Sequence, residues 1–173
     1  MAILPIIVAP DPRLKVKSTP IDVVSEDIIR LMDDMLDTMY AAPGIGLAAP
    51  QVGVQKRAIV LDVSMGEEPP NPFQMINPEV VWTSDRLFSY EEGCLSLPEQ
   101  FADVERPDKA KIRYKDKSGQ ETLIDVEGLL SVCVQHEIDH LDGVLFVDHI
   151  SKIKKNVIMR KLKKSKKSSQ NVV

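Results

Sequence analysis

The residues best suited to chemistry are His136-Glu137-Ile138-Asp139-His140. On a helix, positions four apart stand one turn above each other, about 6 Å apart, so two imidazoles can share one cation while the adjacent Glu reaches its bound water. That spacing suits metal-assisted hydrolysis. The chain has only three His, and two of them are spent here. A catalytic metal usually takes a third protein ligand and leaves its fourth position to water. Downstream, the choices are Asp142, Asp148 and His149, since no Glu follows His140. Upstream, Cys94 sits in Glu91-Glu92-Gly93-Cys94-Leu95-Ser96-Leu97-Pro98. A buried Cys is more often a small hydrophobe than a ligand, but the flanking glycine and polar neighbours favour a ligand here. Cys133, one turn before His136, fits a pocket wall better.

These residues must be positioned by the elements around them. From Glu127 to Leu141 the apolar residues Leu129, Leu130, Val132, Cys133, Val134 and Ile138 surround the axis, as in a helix buried inside the protein, and Asp142-Gly143 ends it. A first helix starts at Ser25 as N-cap, with Ile28, Leu31, Met32, Met35, Leu36 and Met39 on one face, and stops at Pro43-Gly44. The run Arg57 to Val63 reads as a buried strand, with further strands at 74–76, 80–83 and 87–90. Lys111 to Lys115 and Thr122 to Val126 alternate polar and apolar around Lys117-Ser118-Gly119-Gln120, predicting a hairpin. The class is α+β: antiparallel sheets wrapped around a central helix, with one helix before it and one after.

A chain of 173 residues makes one domain that holds a core without disulfides or a structural metal, so a bound metal is free to be catalytic. No stretch approaches the ~20 apolar residues of a membrane span, and no signal peptide is evident, so a cytoplasmic location with Cys94 and Cys133 as thiols is expected. Charge is unevenly spread. From Ser151 onward there are eight Lys, one Arg and no acid, whereas the first 150 residues hold 13 basic and 26 acidic side chains. Beyond Lys152, Ile153, Val157, Ile158 and Leu162 recur at helical spacing among these cations, giving a basic amphipathic helix able to dock on the domain, a membrane surface or RNA. The expected division is a catalytic domain over 1–162 and a basic, disordered tail over 163–173.

Three segments resemble the signature motifs of peptide deformylases, in order and at similar separations: Gly44-Ile45-Gly46-Leu47-Ala48-Ala49-Pro50-Gln51, the Glu91 to Pro98 segment, and Gln135 to Leu141 followed by Asp142-Gly143. The likeness runs from about residue 3 to the helix near Leu162. It implies Cys94, His136 and His140 as metal ligands, water in the fourth position, and Glu137 as general acid/base. It implies Gln51, through its amide, and Leu95, through its backbone N–H, as donors to the formyl oxygen. Ile45 and Gly46 would lie beside the substrate main chain. Tyr90, Glu92, Leu129, Val132, Cys133 and His136 would border a methionine pocket. The implied reaction is attack of metal-bound water on the formyl group of N-terminal formylmethionine in nascent polypeptides, releasing formate. Fe(II) is the metal implied, with Zn(II), Ni(II) or Co(II) as substitutes.

The chain departs from the family at Phe101, where many bacterial members carry an Arg that touches substrate, and at Tyr90, where an aliphatic residue is common. A bacterial, monomeric protein whose basic C-terminus contacts the ribosome completes the expectation. Two other readings fit parts of the sequence. A zinc endopeptidase with the same His pair would be indifferent to Cys94→Ala, and a ribosome- or RNA-binding module would be indifferent to Glu137→Ala.

Overall fold

The computed structural model describes residues 2–64, 66 and 68–170, the side chains of 167–170 excepted. Helix α1 (Glu26–Ala41) begins where Ser25 Oγ accepts from the Ile28 N–H at 3.4 Å, and Glu26 and Asp27 occupy the first turn, where the helix dipole favours acids. Its Met32, Met35 and Met39 pack with Leu47, Val60 and Ile76 on one face of a sheet. That sheet is antiparallel and five-stranded. It contains β1 (Gly46–Ala48), β2 (Ala58–Leu61), β3 (Phe73–Thr83), and, after an intervening hairpin, two further strands.

The hairpin joins β4 (Leu87–Cys94) to β5 (Leu97–Pro107) through Leu95-Ser96, with Cys94 opposite Leu97 after a register shift at Gly93. Strands β6 (Lys109–Lys115) and β7 (Glu121–Glu127) then complete the sheet in the order β1-β2-β3-β6-β7. Helix α2 (Gly128–Leu141) follows, and from Ser131 to Leu141 only Asp139 is not fully buried. It is enclosed by β1, β2 and β7 on one side and by β4 and β5 on the other.

The position of β2 explains why its sequence is continuously apolar. Ala58 and Val60 face α1, while Ile59 and Leu61 join Met75, Ile112, Val134, Ile138 and Leu141 on the α2 side. A strand covered on both faces has no polar side to show. A third cluster, built from Leu14, Leu97, Val104, Phe146, Ile158 and Leu162, seats helix α3 (Lys152–Gln170) against the hairpin and the 3-10 turn Phe146–His149.

The α+β class and the central helix agree with the expectation, and several details differ. The strands expected at 74–76 and 80–83 are one, β3, interrupted by a bulge where Asn77 takes φ 51° and its side chain bonds both the N–H and the carbonyl of Ile21. Strand β4 runs on to Cys94, which is therefore a strand-end residue. Strand β5 is absent from the sequence expectation, because the prolines and acids of Leu97–Pro107 mask its alternation. Helix α3 continues to Gln170, past the Leu162 boundary, because Lys, Ser and Gln include good helix formers and no Pro or Gly interrupts them. Its apolar residues also divide: Ile158 and Leu162 are buried, whereas Ile153 is 79% exposed. No helix among the described residues is long and apolar enough to cross a membrane.

Candidate active site

Residues four apart on α2 point His136 and His140 the same way, with ring centroids 5.1 Å apart. The β4–β5 hairpin brings Cys94 to them from outside the helix, its Sγ 3.3 Å from His140 Nε2. Sγ and one ring nitrogen from each His all lie within 4.8 Å of one another, and they form the only such group among the described residues. A thiol and two imidazoles are the donor set of a borderline-soft divalent ion. Two buried polar atoms here have no hydrogen-bond partner, Glu137 Oε2 and His140 Nδ1. An orphaned carboxylate oxygen beside converging donors fits a metal and its water better than a sealed core.

His136 and Gln51 are held from behind. Glu92 accepts from His136 Nδ1 at 2.8 Å, and a carboxylate can only accept, so Nδ1 carries the hydrogen and Nε2 is left to face the centre. Both Glu92 oxygens also take Arg106, at 2.6 Å from Nε and 3.1 Å from Nη2. Gln51 follows β1 on the 3-10 turn Ala49–Val52. Its Oε1 accepts from the Ala48 N–H at 2.8 Å, which aims Nε2 at Ser96 Oγ (3.1 Å) and Cys94 Sγ (3.5 Å).

Electrostatics separate the titratable groups. Burial pushes the Glu137 carboxyl up to about 7, with the nearby His136 opposing the rise. Burial would depress His136, but hydrogen bonds to Cys94 and Glu92 prevail and raise it, whereas burial and His136 itself lower His140. Burial also raises the Cys133 thiol, which stays neutral and donates to the Ile45 carbonyl at 3.4 Å.

The site opens into a pocket of about 500 Å³. Ile45, Gly46 and Gln51 line one side and Tyr90, Glu92, Cys94 and Leu95 the other, while Leu129, Val132, Cys133, His136 and Glu137 form the α2 wall. The sequence-expected residues therefore converge, with His140 just beneath the pocket surface. Glu92 adjoins the pocket, but its carboxylate is committed to His136 and Arg106. A Cβ on Gly46 would collide with the Glu137 carboxylate, so that glycine leaves room for the carboxylate as well as for an approaching backbone. Phe101 stands at the mouth, 61% exposed, with its ring over Gly93. Sequence reasoning missed Arg106, which lies outside the three motifs, and Asp139 and Ser96, which lie inside them but only support other residues. It weighed His149 as a ligand, but the structure pairs it with Asp139 at 2.7 Å.

An H-E-x-x-H helix with a strand-borne cysteine and an open pocket defines a metal-dependent amide hydrolase. Residues 3–156 match the polypeptide deformylase family model. The chain is 52% identical over 168 residues to a peptide deformylase of Rhizobium meliloti (strain 1021), covering 97% of both chains. It is 52% identical over 169 residues to one from Phenylobacterium zucineum (strain HLK1), covering 98% of this chain and 100% of the relative. A crystal structure of peptide deformylase from Ehrlichia chaffeensis superposes with a TM-score of 0.93 at 38% identity, over 98% of this chain and 99% of that one. A further structure from that organism, in complex with actinonin, gives a TM-score of 0.91 at 41% identity over 95% and 98%. The chain belongs to the polypeptide deformylase family, and so to the hydrolases that remove formyl groups from peptides.

Proposed function

We propose that the substrate is the N-formylmethionine head of a nascent polypeptide and that Cys94, His136 and His140 hold one divalent ion. The observation that carries this reading is the convergence of those three donors beside Glu137, whose buried Oε2 has no partner. When bound, such an ion polarises the formyl carbonyl and lowers the pKa of a coordinated water to near neutrality.

The rest is work for the chain's own groups. Glu137 takes a proton from the water that attacks the formyl carbon, and a carboxyl with a pKa of about 7 can both accept it and give it back. Gln51 Nε2, already oriented by Ala48, and the Leu95 N–H stabilise the oxyanion, each worth about 3 kcal/mol by analogy with other oxyanion holes. Glu137 then protonates the amine nitrogen as the C–N bond breaks, releasing formate and a free N-terminus. Tyr90, Leu129, Val132 and Cys133 enclose the methionine side chain, while Ile45 and Gly46 lie along the peptide backbone.

Fe(II) is the ion favoured, with Zn(II), Ni(II) or Co(II) as substitutes, since a thiolate suits softer metals. An iron-loaded thiolate site loses activity in air. The reading extends to a monomer of the bacterial cytoplasm with a catalytic domain over 1–162. The basic residues of α3 and the residues after Leu162 provide a ribosome contact that salt weakens.

Protein purified without oxygen tests the core of this: metal is counted per chain, and formate release from formyl-Met-Ala-Ser is compared with hydrolysis of the acetylated peptide. One metal per chain and release from the formyl peptide alone is expected. Metal without formate release would overturn the reading.

A further inference from the structure

Behind His136 runs a chain of buried ionic contacts that reaches the surface. Arg106, on β5, is 5% exposed and faces two carboxylates from different elements. It binds Glu92 of β4 through Nε and Nη2, and Nη1 reaches Asp139 Oδ2 of α2 at 2.8 Å. The same Asp139 oxygen accepts from His149 Nε2 at 2.7 Å, and the His149 side chain is 37% exposed. The order is therefore His149, Asp139, Arg106, Glu92 and His136.

We propose that Arg106, anchored through Asp139 by His149 at the surface, is a positioning residue that fixes the orientation and tautomer of His136 through Glu92. This rests on the reading of His136 as a metal ligand. A buried guanidinium with all three nitrogens bonded cannot turn without breaking a charge-assisted bond. It therefore locks the Glu92 carboxylate, and Glu92 in turn locks the imidazole. Asp139 supplies the second carboxylate; with Glu92 alone Arg106 could pivot about it. His149 keeps Asp139 turned inward, where solvent would otherwise compete for its half-exposed carboxylate. The network also crosses from the hairpin to α2, so it sets the spacing between the elements that carry Cys94 and the two histidines.

Outer partners of metal ligands change metal affinity by about 10- to 100-fold when removed. The test uses metal-free full-length protein titrated with Co(II), whose visible spectrum reports ligand geometry, and the melting temperature of the metal-free protein is recorded alongside. Arg106→Lys, which keeps the charge but cannot bridge both carboxylates, is expected to weaken Co(II) binding about 10- to 100-fold and to change the spectrum. His149→Ala is expected to weaken it by at least about threefold, and His149→Gln, which retains a donor for Asp139, to restore most of that loss. Wild-type affinity and spectrum in both Arg106→Lys and His149→Ala would overturn the proposal, as would a lower melting temperature with affinity unchanged. If Arg106→Lys does not fold, His149→Ala decides alone. Failure of the wild type itself to bind Co(II) would instead defeat the ligand assignment.

Discussion

At the scale of the residue, Glu137 is the proposed general base. Burial holds its pKa near 7, His136 and His140 flank it on the same helix, and Gly46 gives it room. Glu137→Gln keeps the shape and removes the base, so formate release should fall by about 10²- to 10⁴-fold while metal content stays at the wild-type level. Retained turnover in that variant would remove Glu137 from the chemistry. Gly46→Ala places a methyl group where the carboxylate now stands. Displacing a reacting group by about 1 Å can cost on the order of 100-fold, so a comparable loss in kcat is expected without loss of metal. A change confined to KM would mean that Gly46 matters only for substrate backbone.

Among the elements, α3 and the turn before it show how the outer parts are fastened. Leu162 is 3% exposed in the cluster with Leu14 and Phe146, whereas Ile153 is 79% exposed. Leu162→Ala should cost about 2–4 kcal/mol in denaturant unfolding and Ile153→Ser less than about 0.5. Similar costs would mean that the two faces are not distinct.

Asp148 ties the 3-10 turn to its surroundings, accepting from the Leu145 N–H and pairing with Lys15 and Lys155. Burial alone would raise its pKa, but these partners outweigh it and hold the carboxyl at about 2. Because the folded value lies below the unfolded one, the stabilisation is complete above about pH 4 and is lost as pH falls towards 2. Asp148→Asn, which keeps an acceptor for the Leu145 N–H but removes the charge, should therefore cost about 1 kcal/mol at pH 7 through the part-exposed ion pairs, with the gap closing near pH 2. Melting curves across that range check it, and a pH-independent gap would show that ionisation is not involved.

For the whole molecule, the three proposed metal donors come from two units that the backbone joins only through β6 and β7. Cys94 belongs to the β4–β5 hairpin and the histidines to α2, so a bound ion pins the hairpin across the central helix. A ligand at 100 times its Kd adds about 2.7 kcal/mol, which in a domain of this size raises Tm by roughly 5–10 °C. Chelation should lower Tm by that amount and added Ni(II) or Zn(II) should restore it. Calorimetry showing no change would argue against such a bridge.

Much of this was determined by the sequence alone. Helical spacing put His136, Glu137 and His140 on one face, apolar residues all round placed that helix inside, and Ser25 with its methionine stripe defined α1. Periodicity and capping are local, so these features could be read directly. The third donor could not be settled by spacing, because Cys94 and His140 are 46 residues apart in sequence and meet only when the hairpin folds over α2. The same holds for Gly46 against Glu137, for Gln51 against Ser96, and for the path from His149 through Arg106 to Glu92. Those contacts join residues distant in sequence, and tertiary packing alone decides which of them meet.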